Sequence, residues 1–155
     1  MQRFKEIFEG NNSAFGQLIL SGKKDARGKE KGRPWIRRER ISDQLWADHI
    51  EGKTDSDGKL LPALGVIPIN EDNKCRWGCI DVDIYNLDHK EIMQKVKKLN
   101  LPLITFRSKS GGAHLFLFAE SFIPAFLMQE KLKEMAKALG YDCLLYTSDA
   151  ADERS

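Results

Sequence analysis

The sequence predicts an α+β domain whose core follows the order ββαββα, an open and largely antiparallel sheet with its helices packed on one face. Three observations carry this. Apolar runs of strand length recur at 64–69, 76–84, 101–106 and 113–119. Two stretches of helical period, 86–99 and 124–139, follow the second and fourth of these runs. Turn-forming clusters separate the strands of each pair: Glu71-Asp72-Asn73-Lys74 in the first, Ser108-Lys109-Ser110-Gly111-Gly112 in the second.

Upstream of this core lies an α/β extension. Residues 4–8 read as a short helix stopped by Gly10-Asn11-Asn12-Ser13, and 15–20 as an apolar run, strand or helix. Residues 21–34 are rich in Gly, Lys and Arg without a period and read as a loop. Ser42 is a fitting N-cap for a helix over 43–51, with Leu45, Trp46 and Ile50 inward and Gly52 as its stop. Asp55-Ser56-Asp57-Gly58 then turns the chain, and Pro68 marks the first core run as a sheet edge or a strand end. In the first core helix Ile92, Val96 and Leu99 share a face. In the second Phe126, Leu127, Leu132, Met135 and Leu139 point inward and Gly140 ends it. The resulting division is 1–63 extension, 64–142 core and 143–155 tail.

That tail, from Cys143 to Glu153, resembles a translated sequencing-adapter sequence, so it is expected to be non-native and is set aside from the fold. On this expectation the chain is a fragment of a longer natural protein. Without the tail the chain has 24 basic and 20 acidic residues. The basic excess is local: residues 23–40 hold nine Lys or Arg against three acidic residues. Lys29, Lys31, Arg33, Arg37 and Arg38 of this stretch are candidates for neutralising a phosphate backbone, with Trp35 able to stack on a base or to anchor the loop. A solvated loop is the competing reading.

With 155 residues, 41% hydrophobic and 31% charged, the composition is that of a globular protein, with no apolar run of membrane-spanning length. A cytoplasmic location is expected, and three cysteines without framework spacing point to free thiols. Cys75, Cys79, His49 and His89 invite a zinc reading. Residues four apart on a strand are separated by about 13 Å, however, too far for one tetrahedral ion unless Cys75 lies in the turn.

The chemistry concentrates in two segments. Along Gly78-Cys79-Ile80-Asp81-Val82-Asp83-Ile84, alternation sends Gly78, Ile80, Val82 and Ile84 to one face and Trp77, Cys79, Asp81 and Asp83 to the other. Two carboxylates ~6.5–7 Å apart at the backbone repel unless a cation lies between them. Oxygen donors of this kind suit Mg²⁺ or Mn²⁺, and two such ions can activate a 3′-hydroxyl and stabilise leaving pyrophosphate. The second segment joins Arg107, Ser108, Lys109, Ser110, Gly111 and Gly112 to a strand carrying His114, Phe116 and Phe118. Successive N–H groups in such a turn can cradle an anion, and His114 can donate to a phosphate oxygen. Each segment alone has a plain structural explanation, in ion-paired aspartates and in a hairpin turn; together they point to nucleotidyl transfer.

An Asp-x-Asp strand followed by a Ser-x-Ser-Gly-Gly-x-His strand resembles the archaeo-eukaryotic primase superfamily, closest to the primase domain of TOTE conflict systems. The likeness extends from about residue 4 to 142 and includes Leu45-Trp46-Ala47-Asp48-His49 and Leu64-Gly65-Val66-Ile67-Pro68-Ile69. It implies an RRM-like sheet and a DNA- or RNA-synthesising primase-polymerase with a two-metal Mg²⁺ or Mn²⁺ site. Asp81 and Asp83 would be the metal ligands, His114 the catalytic histidine, and 107–112 with His114 the nucleotide-binding residues. It also implies NTP or dNTP substrates, a single-stranded or primed nucleic-acid template, a role in replication, and helicase or nuclease regions as neighbours in the same system. The superfamily uses a third acidic residue further on. Asp142 falls too early for it, so a poorly active fragment is expected. Two rivals remain. A non-catalytic RRM-like module binding single strands through Phe116 and Phe118 leaves Asp81 and Asp83 unexplained. A relaxase-type nuclease wants paired histidines and a well-placed tyrosine, and Tyr85 is poorly placed for that.

Overall fold

The computed structural model describes residues 1–24, 30–58, 61–84, 86–108 and 111–141. The chain is α+β, and its described residues form two three-stranded antiparallel sheets and four helices. It divides into two compact units, Met1–Asn73 and the part beginning at Lys74.

The first unit holds α1 (Gln2–Ile7), β1 (Phe15–Lys24), β2 (Glu30–Arg37), α2 (Asp43–Glu51) and β3 (Ala63–Val66). Its sheet has the order β2-β1-β3. The expected helix 43–51 forms as read: the Ser42 side chain accepts from the Leu45 N–H, and Gly52 closes the helix at φ 62°. Trp46 is its buried residue and meets the Phe4 ring edge-on at 5.9 Å between centroids. Ile50, expected inward, is exposed. The stretch 21–34, expected as loop, is strand at both ends: β1 runs to Lys24 and β2 starts at Glu30. The described residues of β2 from Gly32 onward are exposed, so this ribbon lacks the alternation by which a strand shows itself. Pro34 is tolerated because β2 is an edge strand.

The second unit holds β4 (Lys74–Val82), α3 (His89–Lys98), β5 (Leu103–Arg107), β6 (Ala113–Pro124) and α4 (Ala125–Leu139), with sheet order β4-β6-β5. The order of elements from β3 onward is the expected ββαββα. The first of those strands, however, pairs with β1 and not with β4. The core of this unit is one cluster of Ile80 and Val82 from β4, Ile92 and Val96 from α3, Leu103 from β5, Leu115 and Leu117 from β6, and Met128, Leu132, Ala136 and Leu139 from α4. A Cβ on Gly78 would lie 2.6 Å from the Leu132 side chain, so a larger residue there would make the Leu132 and Met128 side chains of α4 shift.

Three details differ from the expectation. A register shift between Cys75 and Trp77 lets Cys75 join the core although it is an odd number of positions from Ile80. The strand ends at Val82, which leaves Ile84 exposed beyond it. The buried seam of α4 steps through Met128, Leu132, Ala136 and Leu139, which turns Phe126 and Leu127 outward, and Leu99 likewise sits exposed at the end of α3.

A candidate functional site on the open sheet face

With Ile80, Val82, Leu115 and Leu117 committed to the helix side, alternation commits Cys79, Asp81, His114, Phe116 and Phe118 to the other side. Asp81 and His114 are direct partners across β4 and β6, and His114 Nε2 lies 3.4 Å from Asp81 Oδ1. Both side chains are open to solvent, Asp81 at 54% and His114 at 42%, so a ligand can reach them. One strand pair further along, Cys79 faces Phe116. Burial, then the Asp81 carboxylate, pushes the Cys79 thiol up to about 12. It therefore stays protonated near neutral pH. Cys75 lies in the core, on the other face from Cys79, which separates the two thiols.

Beside the pair is an aromatic surface. The Phe116 ring meets Phe106 at 5.5 Å and His114 at 6.2 Å edge-on, lies tilted against Trp77 at 6.0 Å, and stacks with Phe118 at 5.9 Å. Trp77 is buried, whereas Phe106 and Ile104 of β5 are exposed.

The glycine turn is tied to the end of the aspartate strand. The Ser108 N–H donates to the Gly112 carbonyl at 2.9 Å, and the Gly111 N–H donates to the Ser108 carbonyl at 3.1 Å. Gly111 has φ 93°, a conformation that glycine adopts without strain. Gly112 is required for space instead: a Cβ there would lie 2.2 Å from the Val82 carbonyl oxygen and 3.3 Å from the Asp83 Cα. The turn thus lies directly against the backbone on either side of the Val82–Asp83 peptide. His89, the first residue of α3, fixes it from the other direction, with Nε2 3.0 Å from the Gly112 carbonyl oxygen. A carbonyl only accepts, so Nε2 carries a proton. The Asp88 side chain caps α3 by accepting from the Lys90 and Glu91 N–H groups, which sets the position of His89.

The structure therefore brings Asp81, His114, Ser108, Gly111 and Gly112 together. Asp83 lies just past the strand end, exposed, next to Gly112. Arg107 pairs with Ala113, a core residue, so strand alternation sets it on the face opposite His114. Lys109, Ser110, Lys29, Asp142 and the tail 143–155 lie outside the described residues. Lys31 is part of β2, and Arg33, Arg37 and Arg38 are exposed in or just after it. His49 has a structural task, accepting from the Leu64 N–H at Nδ1. His89 was weighed in the sequence only as a thiol partner; its hold on Gly112 is a long-range contact that no spacing reveals.

Among the described residues no group of three or more His, Cys, Asp or Glu side chains converges on one point. The carboxylates of Asp81 and Asp83 are nonetheless donors of the type that Mg²⁺ takes, one or two at a time, alongside water and substrate phosphates. No described helix is long and apolar enough to cross a membrane.

No curated protein matches the chain. A family model does, over residues 23–143: TOTE conflict system, archaeo-eukaryotic primase domain. That match spans most of the chain, from the last two residues of β1 through the end of α4, and includes the Asp81 strand, the glycine turn and the His114 strand. The chain belongs to the archaeo-eukaryotic primase domain family of TOTE conflict systems.

Proposed function

We propose that this domain is a nucleotidyltransferase of the primase-polymerase type, joining nucleotides on a nucleic-acid template. The observation that carries the reading is the cross-strand pair of Asp81 and His114, 3.4 Å apart at the solvent-open end of the sheet beside the Ser108–Gly112 turn. Membership of a primase family supports it.

Asp81 and Asp83 would hold Mg²⁺ or Mn²⁺, which when bound supplies positive charge for the triphosphate and for the attacking and leaving oxygens. The remaining work falls to the chain itself. Asp81 accepts from His114 and orients the imidazole. His114 directs an N–H at a phosphate oxygen and offers a proton to the departing pyrophosphate. With the Ser108 and Gly111 N–H groups spent inside the turn, Ser108 and Ser110 provide hydroxyl donors and Lys109 provides charge to an anion beside Gly111 and Gly112. The exposed Phe106 edge of the aromatic surface offers a wall for a base.

Among the described residues no third donor converges with the two carboxylates, which makes the cation and the nucleotide interdependent. In a thermal-shift assay, Mn²⁺ together with an NTP or dNTP raises Tm by more than Mn²⁺ or nucleotide alone, and Asp81→Ala removes that joint effect. An equal shift in the variant would favour the second reading, a non-catalytic module binding single strands on Phe106, Phe116 and Phe118. That reading draws on the aromatic surface but sets the Asp81 carboxylate against phosphate.

A further inference from the structure

Beyond the sheet that carries Asp81 and His114, the first unit presents a second surface with a chemical character of its own. On β2 the residues Arg33, Trp35 and Arg37 alternate onto one side, ~6.5–7 Å apart along the strand, a spacing on the scale of one extended nucleotide. All three are exposed, Trp35 at 47%. The Arg33 guanidinium lies 5.6 Å from the centre of the Trp35 ring, a cation–π contact that holds the indole in place and keeps the charge beside it. Arg38 and Arg40 follow directly, both exposed. The acidic residue within this run, Glu39, is engaged by Arg37 at 2.8 Å. Because β2 is the outer strand in the order β2-β1-β3, its far edge has no strand beside it among the described residues. The other two tryptophans are buried, Trp46 at 7% and Trp77 at 8%, so this is the one indole of the chain offered to solvent.

We propose that the Arg33-Trp35-Arg37 face of β2 is a binding strip for single-stranded nucleic acid. Trp35 stacks on an unpaired base, and Arg33 and Arg37 neutralise flanking phosphates. A base inside a duplex keeps its faces covered by its neighbours, so an indole platform selects single strands, whereas arginines alone would not discriminate. The inference rests on the reading of the domain as template-directed and names where unpaired template is gripped. It requires neither metal nor nucleotide, which separates it experimentally from the chemistry at Asp81.

Fluorescence anisotropy of a labelled oligothymidylate, and of a duplex of equal length, in EDTA and without nucleotide tests it. The whole chain binds the single strand more tightly than the duplex. Trp35→Ala weakens single-strand binding roughly 5- to 150-fold. Trp35→Phe, which keeps a ring, retains most of the affinity and guards against a folding defect in the alanine variant. Arg33→Gln lowers the slope of log K against log salt by about 0.7, the share of one phosphate. Tryptophan emission changes on binding in the wild type and not in Trp35→Phe. Equal affinity of wild type and Trp35→Ala, or a preference for duplex, overturns the proposal. A wild type that binds no oligonucleotide also overturns it while leaving the Asp81-dependent nucleotide response standing. Loss of that response with oligonucleotide binding intact counts instead against nucleotidyl transfer.

Discussion

At Gly112 a single missing methyl group decides how closely the glycine turn can approach the strand end. A Cβ there would stand 2.2 Å from the Val82 carbonyl oxygen, and both neighbours are backbone, which cannot swing aside as a long side chain can. Gly111, one position earlier, is a different case: its φ of 93° favours glycine, yet a Cβ there meets nothing within 4 Å. Gly112→Ala is therefore expected to cost about 1–3 kcal/mol through overpacking and to push the turn away from Asp83. Urea unfolding measures the first effect; loss of the joint Mn²⁺ and nucleotide shift in Tm measures the second. Unchanged stability in Gly112→Ala would mean that the turn is not held against the strand end. His89 belongs to the same contact, since the Gly112 carbonyl accepts from both its imidazole and the Ser108 N–H.

At the scale of elements, β4 is the piece that converts a pattern of apolar residues into chemistry. Ile80 and Val82 are almost fully buried, and Asp81 between them has only the open face left. Ile80→Ala should cost about 2–5 kcal/mol, read as a lowered urea midpoint with unchanged m-value. A cost under 1 kcal/mol would show that β4 is not anchored as described. This alternation was legible in the sequence because one face of β4 is in the core and the other is not, and the Ser42 and Gly52 boundaries of α2 were legible because caps are local chemistry. The β1–β2 ribbon was not, because Gly32 to Arg37 are exposed on both faces and carry no period. Helix faces were half legible. Ile92, Val96, Leu132 and Leu139 were placed inward, whereas Leu99, Phe126 and Leu127 were assigned by hydrophobicity and the packing seam passed them by. The pairing of Asp81 with His114 needed the strand register, which no stretch of sequence contains by itself.

Across the molecule, two units each close their own three-stranded sheet, and β3 joins β1 where the sequence order alone suggested a partner in β4. The family match covers parts of both units, so the basic ribbon of the first is as much a part of the family domain as the Asp81 strand of the second. The central claim concerns the second: that Asp81, Asp83, Gly112 and His114 surround one cation-dependent nucleotide site. Mn²⁺ is paramagnetic and broadens nearby amide signals, so ¹H–¹⁵N spectra recorded with substoichiometric Mn²⁺ and saturating nucleotide locate it directly. The account predicts selective broadening at Asp81, Asp83, Gly112 and His114, sparing Lys131 and Glu134 on the exposed side of α4, and its disappearance in Asp81→Ala. Broadening that centres elsewhere, or that persists unchanged in Asp81→Ala, would contradict it.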